Sequence, residues 1–265
     1  MSPHHTFARF TRAIVRPPAH TFAQGLTTAS LGAPDLARTL EQHAAYCRAL
    51  VRSGCGVVEL PADDRYPDST FVEDIAFVLP GQGAILTRPG ASSRQGEVEM
   101  MRDAIHAFFP EAAQMVAPGT LDAGDVCEVG THVFIGISQR TNEHGAQQLV
   151  DWLAGHRCTA STVDIRDTPG ILHLKSGVCA LDTRRLVAID ALAEHDAFLE
   201  YDVVRVPEHE AYAANCVRVN DVVFVAAGFP ITHARLRELG YSLEVLDMSE
   251  FERMDGGLSC LSVRC

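Results

Sequence analysis

The residues of this sequence best suited to chemistry occur in five short stretches, each followed by a run of β-branched and apolar residues. They supply two acidic pairs, a histidine, an amide and a cysteine: Glu73 and Asp74, Asp122 and Asp125, His173, Asn215 and Cys260. Acids and amides are poor strand formers, so their recurrence at the start of predicted strands favours a functional explanation. A thiol, an imidazole and a carboxylate at one place would form a nucleophile, a general base and an orienting group.

Each of these residues also has a structural explanation when it is considered alone. The acidic pairs could lie in turns, His173 could be a hydrogen-bonded core histidine, Asn215 could bind a turn, and Cys260 could be an inert buried thiol. They do, however, occupy the equivalent position in five successive units of the chain. That shared position favours a common site over five separate structural roles.

The elements that position these residues form an approximate repeat of a strand, a two-stranded hairpin and a helix. Successive first strands begin about 40–55 residues apart, a spacing typical of repeat architectures. They are predicted at 56–60, 112–117, 161–165, 201–206 and 242–247. Apolar residues at three- and four-residue steps predict a helix after the first hairpin. In the later units, helices are predicted to start at Asn142, Asp190 and Thr232, and the last of them to stop at Gly240.

The fifth unit has only one strand of its hairpin, and we expect residues 10–18 ("FTRAIVRPP") to supply the other. Pairing of the last strand with the first closes a ring and removes open sheet edges. The predicted fold is therefore a five-bladed α/β propeller around a central channel, formed by one domain of residues 1–265. A doubly wound sheet is the alternative, which the hairpin in each unit disfavours. Gly256 and Gly257 would let the backbone beside Cys260 approach a ligand closely.

The composition limits the classes of partner. A net charge of −12 without a Lys/Arg run disfavours nucleic acid, and no apolar stretch is long enough to predict a membrane span. The N-terminal residues lack the apolar segment of a signal peptide, so we expect a cytoplasmic protein. The eight cysteines form no C-x-x-C pair and no Cys/His spacing of a structural zinc site, so no metal is predicted. Lys175 is the only lysine, and it could add positive potential near the site.

Seven motifs occur in order along almost the whole chain: "YPDSTFVEDIAF", "TRPGASSRQGE", "LDAGDV", "ISQRTNEHGA", "LHLKSG", "YAANC" and "MDGGLSCLS". Together they resemble the dimethylarginine dimethylaminohydrolase family, whose members have the pentein fold. The resemblance implies hydrolysis of asymmetric dimethylarginine or monomethylarginine to citrulline and an amine, through a covalent S-alkylthiouronium. It implies a part in arginine metabolism and nitric oxide regulation, and no metal ion or organic cofactor.

The same resemblance implies a role for individual residues. It makes Cys260 the nucleophile, His173 the general acid and base, and Asp122 the carboxylate partner of His173. It assigns Glu73 and Asp74 to the guanidinium group. It places Asp68, Phe71 and Asp255 beside these acids, Arg94 and Arg140 at the substrate carboxylate, Leu26 in a lid over the pocket, and Met254 at a position where the family varies its apolar residue.

Two other functions remain open at this stage. Arginine deiminases use similar cysteine, histidine and acid chemistry, but they usually carry a helical insertion for which this chain has no room, and the related amidinotransferases are longer too. The fold also occurs in non-catalytic binding proteins, which lack the cysteine, histidine and acid set. The sequence leaves open a homodimer and the preference between methylated substrates.

Overall fold

A computed structural model describes residues 9–265, in which five three-stranded sheets follow one another along the chain. The strands are β1 Arg12–Val15, β2 Gly56–Glu59, β3 Ala76–Leu79, β4 Gly83–Leu86, β5 Ala113–Gln114, β6 Val126–Val129, β7 His132–Ile137, β8 Thr159–Asp164, β9 Val178–Ala180, β10 Arg185–Ile189, β11 Asp202–Val206, β12 Val217–Val219, β13 Val222–Ala226, β14 Ser242–Leu246 and β15 Val263–Arg264. The sheets have the orders β15-β1-β2, β3-β4-β5, β6-β7-β8, β9-β10-β11 and β12-β13-β14. The five-fold repeat predicted from the sequence is confirmed, but its phase differs: each hairpin pairs with the strand that follows its helix, and not with the strand that precedes it.

Every sheet combines an antiparallel pair with a parallel pair. In the second sheet, for example, Phe77 of β3 opposes Ile85 of β4 in antiparallel register, and Ile85 opposes Ala113 of β5 in parallel register. A parallel neighbour needs a crossover connection, which explains why helices separate most hairpins from the strand that follows. The helices are α1 Leu36–Arg52, α2 Glu97–His106, α3 Glu143–Gly155, α4 Leu174–Gly177, α5 Asp190–Ala193, α6 Pro230–Glu238 and α7 Ser249–Glu252.

The helix boundaries confirm most of the sequence signals. Asn142 caps α3, because its side chain accepts a hydrogen bond from the backbone of Gly145. Gly240, with a φ of +88°, follows the end of α6 as predicted. The predicted start at Thr232 is wrong: α6 begins at Pro230, whose fixed φ suits the first helical position. Asp190 does begin a helix, but α5 is a single turn.

The ring is closed by strands from both ends of the described chain. β1 pairs with β15 in antiparallel register, with Ala13 opposite Arg264 and Ile14 opposite Val263. β1 also pairs with β2 in parallel register. Apolar residues of α1 pack on this blade, and Tyr46 forms a 2.7 Å hydrogen bond to Ser262 beside β15. The predicted pairing of the N-terminal and C-terminal strands is therefore confirmed. No helix within residues 9–265 combines the length and apolar character that a membrane span requires.

A short helical turn precedes the first hairpin strand of each blade, which the sequence analysis did not predict. Four of the turns are 3₁₀ helices, at Val72–Ile75, Ala123–Asp125, Glu208–Ala214 and Ser259–Leu261, and α4 is the fifth. Asp122 and His173 immediately precede their turns, Asn215 immediately follows one, and Cys260 lies within one. The polar residues therefore occupy turns, for which they are suited, and not the strands that they would destabilise.

Candidate active site

Ten of the twelve residues predicted for the site line a single pocket at one mouth of the channel. They are Leu26, Asp68, Phe71, Asp74, Arg94, Arg140, His173, Met254, Asp255 and Cys260. Leu172 and Gly256 complete the lining. Cys260 and His173 belong to different blades and are both buried, so the ring brings together two groups that lie far apart in the sequence.

His173 is held by a fully buried carboxylate. Its Nε2 lies 3.0 Å from Oδ2 of Asp122, which has no exposed surface. The other oxygen of Asp122 accepts a 2.9 Å hydrogen bond from the backbone of Gly90, and the Asp122 amide donates to the hydroxyl of Thr141. These bonds fix the carboxylate, which in turn fixes the imidazole ring.

The environment of His173 favours its protonated form. Burial opposes the charge, but the carboxylates of Asp74, Asp122 and Asp125 outweigh it and raise the pKa of His173 to about 9. The imidazole is therefore a cation at neutral pH, able to donate a proton to a leaving group.

The environment of Cys260 also favours the protonated form, which for a thiol is the neutral one. Burial, followed by the negative charges of Asp74 and Glu73, raises the pKa of Cys260 to about 12, and Lys175 opposes this only in part. Without a ligand the thiol is therefore protonated. A cation bound beside the acids would remove part of their effect and favour the thiolate.

Arg94 is committed to the acids of the pocket, which differs from the role expected from the sequence. Its guanidinium donates to Asp74 at 2.5 Å, to both oxygens of Glu97, and to the backbone carbonyls of Asp68 and Phe71. The side chain is 4% exposed. An arginine with these five bonds positions the acids, because few of its donors are left for a substrate carboxylate.

Arg140 is the other arginine of the pocket, and it is half-buried. Among residues 9–265, no acceptor forms a hydrogen bond with its guanidinium; only its backbone amide is bonded, to Ser138. Its planar fork of donors is therefore available for a carboxylate.

Glu73 lines a different cavity from Cys260, although it was expected to bind the guanidinium. Its Oε1 forms ion pairs with Lys175 at 2.7 Å and with Arg264 at 2.9 Å. These three residues line a separate cavity of about 120 Å³, together with Glu128. From this second cavity, the charge of Glu73 raises the pKa of Cys260 and the charge of Lys175 lowers it. Lys175 therefore adds positive potential at the thiol, as predicted from the sequence.

Asn215 holds the turn that carries the thiol. Its amide nitrogen donates to the hydroxyl of Ser259 at 3.2 Å and to the carbonyl of Lys175, and its oxygen accepts from the backbone of Ser259 at 3.1 Å. A β-carbon added to Gly257 would lie 2.5 Å from this side chain. The amide at the fourth equivalent position is therefore a positioning residue for Cys260.

The segment around Leu26 borders the pocket and is tied to its acids. The backbone of Leu26 donates to Asp68 at 3.0 Å, and Thr28 donates to Asp255 through both its backbone and its hydroxyl. Leu26 itself is 41% exposed. Leu26 therefore lines the pocket, its segment is bonded to two acidic residues of the lining, and its role as a lid stays a prediction.

Three donor groups in this site come within 4.8 Å of one another: Asp74, Asp122 and His173. All three are already engaged, because His173 contacts Asp122, and Asp74 accepts from Arg94 and from the backbone of Gly124. They form a hydrogen-bonded network that orients the imidazole of His173 and favours its protonated form.

Comparison with known proteins decides the family. The family model for arginine deiminase matches residues 64–205. The chain is 42% identical to an N(G),N(G)-dimethylarginine dimethylaminohydrolase of Pseudomonas aeruginosa, over 96% of this chain and 99% of the relative. The chain belongs to the dimethylarginine dimethylaminohydrolase family. A Streptomyces coelicolor protein of the same name is 35% identical over 96% of both chains.

Solved structures agree with this family assignment. A cysteine-to-serine variant of the P. aeruginosa family member, in complex with citrulline, superposes with a TM-score of 0.94 at 41% identity, covering 97% of this chain and all of that one. A histidine variant of a family member, as an adduct with S-methyl-L-thiocitrulline, gives a TM-score of 0.93. The N-terminal domain of the arginine dihydrolase ArgZ shares the fold at 20% identity, with a TM-score of 0.86. The five-bladed α/β fold is confirmed.

The sequence analysis missed three contributors to this family site. Leu172 lines the pocket beside His173, Glu97 binds Arg94, and Thr28 binds Asp255. Glu97 could have been found, because it lies three residues after Arg94, a spacing at which opposite charges often pair. Leu172 lies inside a motif quoted above, directly before the histidine. Thr28 carries no comparable signal.

Proposed function

We propose that this protein hydrolyses asymmetric dimethylarginine and monomethylarginine to citrulline and the corresponding amine. The observation that supports this most strongly is the pocket that combines the Cys260 thiol, the His173–Asp122 pair and buried acids. A guanidinium group stays protonated near neutral pH and presents planar N–H donors, for which carboxylates are the matching acceptors. Family membership supports the same chemistry.

The pocket binds the substrate at both of its ends. The guanidinium lies against Asp68 and Asp74, and Arg140 binds the α-carboxylate at the pocket mouth. Arg94 keeps Asp74 ionised and in place, since its contact is among the effects that lower the pKa of Asp74 against burial. The cation in turn stabilises the thiolate of Cys260, whose proton passes to solvent.

The reaction then proceeds in two halves. The thiolate adds to the guanidinium carbon, and the His173 imidazolium gives its proton to the nitrogen of the departing amine as the C–N bond breaks. This leaves a covalent S-alkylthiouronium and a neutral imidazole. His173 next accepts a proton from water, whose oxygen attacks the same carbon. The C–S bond breaks to restore the thiolate, the remaining hydroxyl proton passes to solvent and citrulline is released. Asp122 holds the ring in place through both halves.

Two other functions are tested by the same assay. An arginine deiminase would release citrulline from arginine, and a non-catalytic binding protein would act on none of the substrates. Incubation with dimethylarginine, monomethylarginine, arginine and agmatine separates these cases. We expect citrulline from the methylated substrates. Product from arginine but not from methylated arginine would overturn the proposal.

The nucleophile is tested with a pair of thiol variants. Cys260→Ser is expected to abolish citrulline formation while its circular dichroism spectrum is retained, because a serine hydroxyl is a weak nucleophile toward a guanidinium carbon. Cys265→Ser changes a half-buried thiol in the same segment and is expected to retain activity. Equal activity of Cys260→Ser and the unmodified protein would contradict the assignment.

Three predictions from the sequence accompany this proposal. Residues 1–265 are proposed to form one catalytic domain; the ring closure supports this for the described part, and residues 1–8 lie outside it. A homodimer and a cytoplasmic location stay predictions. Light scattering on the purified protein tests the first of these two, and fractionation of the source cells tests the second.

A further inference from the structure

A second cluster of ligand-type side chains lies on the outside of the ring, between helix α1 and strand β2. His43 and Cys47 are four residues apart on α1 and so share one face of the helix. Glu59 is the last residue of β2. One donor atom from each of these three residues lies within 4.8 Å of the other two. The cluster is separate from the pocket of Cys260 and has no part in the proposed reaction.

The distances in this cluster fit a tetrahedral metal ion. Sγ of Cys47 lies 3.7 Å from Nδ1 of His43. In a tetrahedral zinc site, with bonds of about 2.3 Å to sulfur and about 2.0 Å to nitrogen, the two donors are about 3.5 Å apart. The thiol and the imidazole are therefore already close to the spacing of two zinc ligands.

The imidazole of His43 is buried, and its ring contacts the backbone of Arg16 as well as Cys47. The residue is 3% exposed, and its Nε2 has no hydrogen-bond partner within the described chain. The polar neighbour of Nδ1 is the Cys47 thiol, which is a weak donor. Nδ1 is the ring nitrogen that faces Cys47, and its lone pair is available to a metal ion when the neutral ring carries its proton on Nε2.

We propose that His43, Cys47 and Glu59 bind one thiophilic divalent cation of the zinc class. One sulfur, one nitrogen and one oxygen donor suit zinc better than calcium or magnesium, which take oxygen ligands. A thiolate and a carboxylate balance the two positive charges of the ion. Cys47 borders an open groove lined by Arg48, Val51, Arg52 and Val57, so a water molecule can occupy a fourth position from the solvent side.

The ion would link α1 to β2 within the blade that closes the ring. The two elements already contact each other, and the inner face of α1 packs against the core around Cys260. Because a folded chain presents the three ligands together and an unfolded chain does not, the ion stabilises the folded state. The site thus serves stability, and its test does not depend on the proposed hydrolase activity.

Cobalt(II) is the probe, because a thiolate ligand gives a charge-transfer absorption that oxygen and nitrogen ligands do not. The background protein is the full chain with Cys260→Ser, and with His4→Ala and His5→Ala, since adjacent histidines could bind metal themselves. We expect one equivalent of cobalt to produce the band, and an excess of zinc to remove it by displacement. Zinc is also expected to raise the melting temperature of the background protein.

Three further variants locate the site. Cys47→Ser is expected to abolish the band and the effect of zinc on the melting temperature. Glu59→Gln, at an exposed position, is expected to weaken cobalt binding about tenfold or more. Cys158→Ser, which changes another half-buried thiol, is the matched control and should leave both unchanged. A folded background protein without the band at millimolar cobalt, or a band that survives Cys47→Ser, would overturn the proposal.

Discussion

The ionisation of Cys260 is predicted to depend on a bound cation. Its pKa of about 12 lies three units above the ordinary value of 9, and three units correspond to about 4 kcal/mol. At pH 10 only about one thiol in a hundred would be ionised without a ligand. A positive charge about 4 Å away contributes about 4 kcal/mol at an effective dielectric constant of 20. Bound guanidinium is therefore expected to lower the pKa by about one to three units.

The thiolate can be followed by its ultraviolet absorbance, as the difference between the protein and Cys260→Ser. This subtraction removes the contributions of the other seven cysteines. Millimolar guanidinium ion is the perturbation, and urea at the same concentration is the matched control, because it is planar and similar in size but uncharged. Potassium chloride keeps the ionic strength constant.

Guanidinium is expected to raise the thiolate fraction at pH 10 to about one tenth or more, and urea is expected to leave it unchanged. Two results would refute the reasoning. One is an equal response to guanidinium and urea, which would mean that charge is not the cause. The other is full ionisation at pH 8 without any ligand, which would mean that the acids around Cys260 do not suppress the thiolate.

Substitutions at three further positions test other parts of the site. Asp122→Asn removes a charged partner of His173 and is expected to lower its pKa from about 9 by roughly one unit or more; an NMR titration of the His173 ring measures the shift, and an unmoved pKa would contradict the role of Asp122. Lys175→Met removes one of the two cations that pair with the buried carboxylate of Glu73. It is expected to lower the free energy of unfolding, measured in urea, by about 3 kcal/mol. Lys175→Arg keeps the charge and most of that stability but is expected to lower kcat/KM, and full kcat and KM would show that the lysine does not act on the site. Gly257→Ala introduces a β-carbon 2.5 Å from Asn215 and is expected to cost about 1–3 kcal/mol and to lower kcat; an unchanged melting temperature and kcat would show that the turn has room to spare.

The repeat and the ring closure could be predicted because they depend on local patterns. Alternating apolar strands, tight hairpin tips and the cap at Asn142 are written in neighbouring residues. An unpaired strand near each end of the chain was enough to predict that these two strands pair, and the structure adds the register, with Ala13 opposite Arg264. His173 and Cys260 occupy equivalent positions in two units, which predicts that both face the channel.

The partners of the charged residues could not be predicted in the same way. Arg94 and Asp74 are twenty residues apart, and Glu73 pairs with Arg264 almost two hundred residues away. Two adjacent acids, Glu73 and Asp74, line different cavities although they share one 3₁₀ turn. Which cavity each lines is set by the path of that turn, and the sequence pattern shows only that both are acidic.

The pairing of β15 with β1 makes the reactivity of Cys260 depend on completion of the fold. Cys260 lies three residues before β15, and β15 pairs with β1 about 250 residues earlier in the chain. Contacts of such long sequence separation form late, because the intervening loop must first be closed. A partly folded ring would therefore hold His173 and its acids without the thiol in place. We therefore expect the reactive centre to be complete only once β15 has paired with β1, and the recovery of activity during refolding would report on that step.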